Sequence, residues 1–298
     1  MASRVITGGK GISPEDDWTL DEQYDTKETH DQTFKIERTF SYSKVDILIP
    51  FHGQYDKVTK LVESIYRTTR RPFKVTLIDD ASPNIAFIES LAKKTNIQCI
   101  RNDKQVGFGA SLKEGFDQTD FPWVVFLHSD CRIEDPNWLN KLGDSLVKVK
   151  NSGIKMISAV MDNPGEAEWI HPKMRSEFKD LRYDYTQTIS RNENKGLRPP
   201  IVLGEDHVLP LICTLSHRDL YKNINGFIKP YPYACYEDVE LAHRMRHYGF
   251  KQAICEDCFI SHEGMATIKE VWKKKEASKE IMTENNFWQC TEDIKKLV

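Results

Sequence analysis

The sequence predicts an α/β fold in which helices cover both faces of a mainly parallel sheet. Short apolar runs alternate with helical stripes through the middle of the chain, as consecutive strand and helix crossovers require. One run, Trp123 to Leu127, is continuously apolar, which is typical of a strand buried on both faces. His128, Ser129 and Asp130 follow it directly, and open α/β sheets bind their ligands at that end of a strand.

The individual elements follow from the same patterns. Apolar residues at helical spacing follow the first strand, and Ser82 with Pro83 can cap and open a helix after the second. Gly107 leads into a third helix, and Asp135 with Pro136 opens a fourth. We expect strands over residues 45–50, 74–78, 97–101, 123–127, 154–160, 211–215 and 253–261.

Three regions are predicted along the chain. Residues 1–44 are polar and lack sustained periodicity, so we expect an N-terminal extension. Residues 45–265 carry the strand and helix pattern and form one domain. Within it, residues 161–210 are rich in charged residues and prolines, and so long a loop is typical of a functional insertion. Residues 266–298 form a C-terminal helical segment, with a helix expected over 267–279.

Composition and charge narrow the classes of function. A formal net charge of −3 gives no global reason to expect nucleic acid or an anionic membrane as the partner. Local basic patches at Arg191, Lys195, Arg198 and Lys273 to Lys275 leave nucleic acid open as a partner, although ordinary solvated surface is the favoured interpretation of these patches. No apolar run approaches the roughly 20 residues that cross a bilayer, and a signal-peptide pattern is missing. We therefore expect a cytoplasmic protein.

The seven cysteines are interpreted as reduced thiols that fill the core. Cys255 and Cys258, followed by His262, have the spacing of half a zinc site. A second pair of cysteines or histidines at suitable spacing is missing from the sequence, so core packing is the favoured interpretation of this pair.

Several motifs occur in an order that resembles a known family. The motifs are Ile49-Pro50-Phe51-His52, Asp79-Asp80-Ala81-Ser82, Gly107-Phe108-Gly109, Leu127-His128-Ser129-Asp130, Glu237-Asp238-Val239-Glu240-Leu241 and His262. Each motif is weak alone, but their joint order resembles family 2 of the inverting glycosyltransferases, which have the GT-A fold. The resemblance covers residues 45–265.

The resemblance implies a GT-A fold and a binding site for a nucleotide-diphosphate sugar, with a UDP-sugar favoured. In that family the first two strand ends hold the nucleotide, and an aspartate accepts a hydrogen bond from the base. The implied donor-binding residues are Pro50, Phe51, His52, Asp79, Asp80, Gly107, His128, Ser129 and Asp130.

The resemblance also implies a metal site, with one departure from the family pattern. The Asp-x-Asp motif of the family corresponds to His128-Ser129-Asp130, so its first acid is a histidine here. Asp130 is the implied ligand of Mn²⁺ or Mg²⁺, and His262 is a second ligand. His128 is expected to contact the metal or the donor sugar. Mg²⁺ prefers oxygen ligands, whereas Mn²⁺ tolerates imidazole.

The activity that the resemblance implies is metal-dependent, inverting transfer of one sugar to an acceptor hydroxyl. Asp238 is the expected general base and Glu237 the alternative. A saccharide or a lipid-linked saccharide is the favoured acceptor, with a modified nucleobase or a protein side chain as further candidates. The sequence Gln-x-x-Arg-Trp of polymer-forming members is missing, so we expect one sugar per encounter.

Two alternatives from other functional classes stay open. A nucleotidyltransferase would need a glycine-rich loop with a basic residue directly after the first strand. The residues at that place, Pro50-Phe51-His52-Gly53, match this requirement poorly. A non-catalytic module that binds a sugar or nucleotide is consistent with histidine at position 128.

Overall fold

The computed structural model describes residues 3–7, 44–95, 97–149, 152–162, 182–183, 199–205, 207–264 and 279–297. The strands are β1 (Ser3–Thr7), β2 (Val45–Phe51), β3 (Phe73–Asp79), β4 (Gln98–Asn102), β5 (Trp123–Leu127), β6 (Cys131–Arg132), β7 (Ile154–Met161), β8 (Arg182–Tyr183), β9 (Ile201–Val202), β10 (His207–Val208), β11 (Cys213–His217) and β12 (Lys251–His262). The helices are α1 (Tyr55–Thr68), α2 (Ile85–Thr95), α3 (Phe108–Asp117), α4 (Trp138–Lys148), α5 (Asp219–Asn223), α6 (Glu237–His247) and α7 (Asn286–Lys295), the last preceded by a π-helical turn, Ile281–Asn285.

The central sheet has a switch point between β2 and β5. Its order is β1-β4-β3-β2-β5-β11-β7-β12-β6, and β9 also pairs with β12. Strands β2, β3, β4, β5, β7 and β12 run in one direction, and β11 lies antiparallel between β5 and β7. The chain proceeds from β2 outward to β4 and returns to the other side of β2 for β5. Ligand crevices form at the carboxyl ends of strands at such a point. The predicted α/β architecture is confirmed.

Both faces of the sheet are buried, which explains why the strands are continuous apolar runs. In β2, the side chains of Ile47 and Ile49 fill the layer that α1, α2 and α4 cover. Leu48 fills the opposite layer with residues of α3, α5 and α6. A smaller cluster, which includes Val239 and Phe287, packs α6 against α7. Because α7 covers one side of α6, the C-terminal segment packs directly on the domain.

The register of the last strand, β12, shifts along its pairing with β7. Between Cys255 and Phe259 the pairing with β7 shifts, so residues 256–258 bulge out of the ladder. Beyond the bulge, β12 pairs antiparallel with the short strand β6, and His262 lies opposite Cys131. This pairing brings the end of β12 next to the residues that follow β5.

The start of α2 differs from the prediction for an identifiable reason. The helix begins at Ile85 rather than Pro83, and the Asn84 side chain accepts a backbone N–H of the first turn at 3.2 Å. Ser82, the expected cap, instead accepts a hydrogen bond from the backbone N–H of Gly53 at 2.8 Å. Ser82 therefore joins the ends of β2 and β3 rather than capping the helix.

Two further boundaries are displaced by a few residues. Strand β11 begins at Cys213, and the preceding carbonyl of Ile212 accepts the backbone N–H of His128 at 2.8 Å, beyond the end of β5. Helix α4 begins at Trp138, because the side chain of Asp135 accepts the N–H of Asn137 at 2.8 Å and forms a turn there.

Several predicted segments lie partly or wholly outside the described residues. Within the predicted extension, Ser3–Thr7 form β1, which pairs antiparallel with β4 at the edge of the sheet. Most of residues 161–210, with the basic side chains at 191, 195 and 198, lie outside the described ranges, as does the expected helix over 267–279 apart from Lys279. In the part of the chain that the structure describes, no helix combines the length and hydrophobicity needed to cross a bilayer.

Candidate active site

Strand β2 ends in three of the predicted donor-binding residues. Pro50 and Phe51 are its last residues, and both are buried. The half-buried His52 follows, and its Nδ1 lies 2.7 Å from the carbonyl oxygen of Asp80. Because a carbonyl only accepts hydrogen bonds, the neutral ring carries its proton on Nδ1 and presents Nε2 as an acceptor. His52 is therefore held in one tautomer at the switch point.

The end of β3 carries a buried ion pair. One oxygen of the Asp79 carboxylate accepts the backbone N–H of Ser82 at 2.9 Å, and the other pairs with Arg101 at the end of β4. The guanidinium of Arg101 also donates to the carbonyl of Ser82 at 2.9 Å. Sequence reasoning missed Arg101, although a charged residue at the carboxyl end of a predicted strand is a usable signal.

Asp80 holds the glycine-containing turn that opens α3. Its carboxylate accepts the backbone N–H groups of Val106 and Gly107 at 2.7 and 2.9 Å. Gly107 has a φ of +94°, and a Cβ there would lie 2.6 Å from the carbonyl oxygen of Tyr233. The N–H of Phe108 donates to that same carbonyl at 2.7 Å. Position 107 thus requires glycine both for its backbone angle and for its close approach to the loop before α6.

Three potential metal ligands meet beyond the end of β5. One ligand atom from each of His128, Asp130 and His262 lies within 4.8 Å of the others. Nε2 of His262 is 3.1 Å from Oδ1 of Asp130. The backbone N–H of His262 donates to the carboxylate of Asp162 at 2.8 Å, so β7 helps to hold the histidine. Ser129, between the first two ligands, is buried. Sequence reasoning missed Asp162, which lies just after a predicted strand.

We call these three residues the triad, and burial and charge set the protonation of two of them, His128 and Asp130. Burial lowers the pKa of His128 to about 4, and the charge of His262 contributes in the same direction. Burial alone would raise the pKa of Asp130, but the hydrogen bond and charge of His262 outweigh it and hold that pKa well below its usual range. At neutral pH, His128 is therefore a neutral imidazole and Asp130 a carboxylate, the forms in which both bind metals.

The donor atoms of the triad fit a divalent transition metal. The triad offers two imidazole nitrogens and one carboxylate oxygen from a nearly buried position. Mn²⁺ accepts mixed nitrogen and oxygen ligands, whereas Mg²⁺ is usually held by oxygen atoms. The chemistry of the triad therefore favours Mn²⁺ over Mg²⁺.

The two predicted base candidates begin α6 and differ in exposure. Glu237 is buried, at 3% exposure, and its Oε1 has no hydrogen-bond partner among the described residues. Burial raises the pKa of Glu237 to about 8, and the adjacent Asp238 carboxylate contributes to the increase. Asp238 is half-buried, and one of its oxygens accepts the N–H of Val239 at 2.9 Å. Glu237 is thus largely protonated at neutral pH, whereas Asp238 has the more accessible carboxylate.

The start of α3 lies between the triad and the start of α6. The rings of Phe108 and His128 are 5.0 Å apart, centre to centre. A Cβ on Gly109 would lie 3.2 Å from Cγ of Glu237. The residues after β5 and those that begin α6 therefore contact the same short segment from two sides.

The half zinc site considered from the sequence does not form. Cys255 and Cys258 are buried, and their thiols contact the hydroxyl of Ser145 at 3.2 Å and the carbonyl of Trp138 at 3.4 Å, respectively. Among the described residues, His262 groups with His128 and Asp130 instead. Core packing is therefore the role that these two thiols have.

One protein-family model matches the chain. The model of glycosyl transferase family 2 matches residues 46–199, just over half of the chain, including every residue discussed above up to the end of β7. The chain belongs to glycosyl transferase family 2. Its glycine turn, His128 and Asp130 lie inside the matched region, whereas α6, His262 and α7 lie beyond it.

Relatives of this family 2 protein carry related names and the same fold. Human polypeptide N-acetylgalactosaminyltransferase 14 is 23% identical over 172 residues, which cover 53% of this chain and 30% of that protein. The crystal structure of GalNAc-T7 with UDP, GalNAc and Mn²⁺ has a TM-score of 0.54 at 16% identity, over 74% of this chain and 44% of that chain. Mannosyltransferase PcManGT from Pyrobaculum calidifontis, in complex with GDP-Man and Mn²⁺, has a TM-score of 0.52 at 14% identity. This match covers 84% of this chain and 69% of that chain.

These comparisons establish the fold of the family 2 domain as GT-A. The chain spans less than a third of the length of the human relative. The likeness to the two solved structures therefore concerns the fold alone.

We predict that the triad binds Mn²⁺ in preference to Mg²⁺. Because a ligand that binds only the folded state stabilises it, Mn²⁺ at 100 times its dissociation constant should add about 2.7 kcal/mol to the free energy of unfolding. Thermal unfolding and calorimetric titration measure this. Asp130→Ala and His262→Ala should remove the Mn²⁺ effect, and His247→Ala, at an exposed histidine, should keep it. An unchanged Mn²⁺ titration in both triad variants would exclude the site.

We predict that Glu237 makes stability fall as the pH rises. The folded protein holds the Glu237 proton up to a pKa of about 8, whereas the unfolded chain releases it near the ordinary value of 4.5. The unfolded state therefore binds fewer protons in this window, and the free energy of unfolding decreases by roughly 3 kcal/mol from pH 5 to pH 8. Glu237→Gln should remove that decrease. The Tm of this variant minus the Tm of the wild type should therefore be more positive at pH 8 than at pH 5.

The matched control for this measurement is Glu63→Gln, at an exposed position of α1. It should leave the dependence of Tm on pH as in the wild type. Parallel curves for the wild type and Glu237→Gln from pH 5 to pH 8 would show that burial of Glu237 does not perturb its ionisation.

Proposed function

We propose that this protein is a metal-dependent, inverting glycosyltransferase that moves one sugar from a nucleotide-diphosphate sugar to an acceptor hydroxyl. The observation that carries the proposal is the triad of His128, Asp130 and His262 at the switch point of a family 2 domain. Mn²⁺ is the favoured metal, a UDP-sugar the favoured donor, and a saccharide or lipid-linked saccharide the favoured acceptor. Two GT-A structures similar in fold contain a nucleotide or nucleotide sugar together with Mn²⁺, which supports this choice.

The residues of the crevice can bind a nucleotide diphosphate and the metal that accompanies it. Asp130, His128 and His262 would hold Mn²⁺, which when bound supplies Lewis acidity that neutralises negative charge on the leaving diphosphate. His52 presents Nε2 as a fixed acceptor, and Arg101 places a positive charge beside Asp79 at the same edge. The backbone of the glycine turn is held rigid by Asp80. These groups would bind and orient the nucleotide.

Asp238 is the base that the geometry favours. A general base must first reach the proton that it accepts and must then be ionised. Glu237 meets neither condition at neutral pH, because it is buried and its pKa is about 8. Asp238 is partly exposed at the start of α6. In the proposed step, the acceptor oxygen bonds to the anomeric carbon as the bond to the diphosphate breaks. The hydroxyl proton passes to Asp238, and attack from the opposite face inverts the carbon.

The test of the activity is nucleotide release from a panel of UDP- and GDP-linked sugars in the presence of Mn²⁺. Release of a nucleoside diphosphate from one donor, lost on chelation, is the expected result. Release of pyrophosphate would instead favour a nucleotidyltransferase. Binding of a donor without turnover in the presence of hydroxyl acceptors would favour a non-catalytic binding module.

We predict that Asp238→Asn preserves donor binding and reduces transfer by roughly 10²-fold or more, because removal of a general base costs that much. Initial rates and donor titrations measure the two quantities separately. Asp219→Asn, at an exposed aspartate of α5, is the matched control and should behave as the wild type. Normal turnover by Asp238→Asn, together with a large loss in Glu237→Gln, would transfer the role to Glu237.

A further inference from the structure

The loop that precedes α6 is strained. We call residues 231–236 the Tyr231–Tyr236 loop. Tyr233, Cys235 and Tyr236 have φ angles of +62°, +84° and +73°, in the region that non-glycine residues rarely adopt. Such a concentration of strained backbone persists only where surrounding contacts enforce it, and it often occurs at functional sites. Contacts from neighbouring segments are therefore expected to hold the backbone of this loop in place.

The C-terminal segment supplies those contacts. The amide nitrogen Nδ2 of Asn286 donates to the carbonyls of both Pro232 and Ala234, at 2.9 and 2.8 Å. Asn286 itself is buried at 1% exposure, so its amide is fixed by packing and directed at these two carbonyls. Both protons of one amide are thus used to hold two carbonyls of the strained loop at a fixed separation.

Two tyrosines attach the ends of the loop to the same segment. The hydroxyl of Tyr231 donates to the carboxylate of Asp293 at 3.2 Å, and the hydroxyl of Tyr236 donates to the carbonyl of Thr283 at 3.3 Å. Thr283 lies in the π-helical turn that leads into α7, and such turns are frequent at functional sites. The loop is therefore attached at both ends and in the middle to residues 283–293.

The opposite side of the loop faces the candidate active site. The carbonyl of Tyr233 accepts the N–H of Phe108, whose ring contacts His128. The loop ends directly before Glu237 and Asp238, so its backbone conformation sets where α6 begins. A shift of the loop would move Asp238 relative to the residues after β5.

We propose that Asn286 is a positioning residue: it holds the Tyr231–Tyr236 loop in the strained conformation that directs Asp238 toward the acceptor. The proposal rests on the proposed function, because it takes Asp238 as the base. It assigns the C-terminal segment, which lies outside the region matched by the family, a role in catalysis that is not exerted by contact with substrate.

The first measurement tests the clamp without using activity. Asn286→Asp is isosteric but loses the amide donor, and Asn285→Asp makes the same change at the neighbouring, exposed position. Hydrogen exchange of backbone amides over residues 229–238 should become about tenfold faster in Asn286→Asp and stay unchanged in Asn285→Asp. Mn²⁺ titration should match the wild type in both. Unchanged exchange in Asn286→Asp would overturn the proposal, and Asn286→Ala replaces this variant if it does not fold.

The second measurement separates positioning from a merely structural role. With a donor that the wild type turns over, Asn286→Asp should lower kcat about tenfold or more at a KM for donor within about twofold. In an Asp238→Asn background the same change should cause little further loss, because the group being positioned is gone. Equal losses in both backgrounds, or faster exchange with wild-type kcat, would overturn the positioning role. Failure of the wild type and Asn285→Asp to release nucleotide from any donor would instead overturn the proposed function, and the exchange measurement would still decide the clamp.

Discussion

The pairing of β12 with β6 is the constraint on which the candidate site depends. Asp130 and His262 are more than a hundred residues apart in the chain, and they meet because His262 lies opposite Cys131 in this short antiparallel ladder. The backbone N–H of Glu263 donates to the carbonyl of Asp130 at 3.1 Å and extends the ladder by one contact. After the register shift at residues 256–258, β12 pairs with β7 again at Phe259 and Ile260 and then with β6 at Ser261 and His262. Core packing of Cys255, just before the bulge, and of Cys258, within it, holds the chain at the shift.

The histidine at position 128 would change the charge of a metal site formed by the triad rather than prevent such a site. Imidazoles bind a metal in their neutral form, so a carboxylate with two imidazole ligands carries one negative charge and a bound divalent ion would keep a net positive charge. With a carboxylate at position 128 as well as at position 130, the two negative charges would cancel the charge of the ion. A net positive charge is better suited to neutralising a leaving diphosphate. Replacement of an acid by a neutral nitrogen ligand would therefore select among metals and strengthen the electrostatic effect of the bound ion.

The sequence predicts well the parts of the site that a single strand presents, and poorly the parts that depend on packing between distant elements. The strand from Trp123 to Leu127 ends where its apolar run ends, so His128 and Asp130 could be placed at the rim of a sheet from pattern alone. The ion pair between Asp79 and Arg101 could not be predicted from the pattern of either strand, because it depends on two neighbouring strands ending at the same level.

Local capping rules failed at Ser82 for a related reason. Its hydroxyl is used by the backbone of Gly53, 29 residues earlier, and a distant hydrogen bond of this kind leaves no local signature. The different exposure of Glu237 and Asp238 is likewise invisible in the sequence, because it depends on how Gly109 and the Tyr231–Tyr236 loop pack against α6.

That difference in exposure places two adjacent acids in different electrostatic surroundings. Two ionised carboxylates side by side would repel each other, and their combined charge would oppose an incoming nucleotide diphosphate. Burial instead keeps Glu237 largely neutral at neutral pH, with a pKa of about 8, so the start of α6 carries its negative charge mainly on Asp238 and Glu240. Glu240 is neutralised by the buried guanidinium of Arg244, at 2.8 Å. Asp238 is thus the partly exposed acid of this turn, and access to the substrate is what the proposed proton acceptor requires.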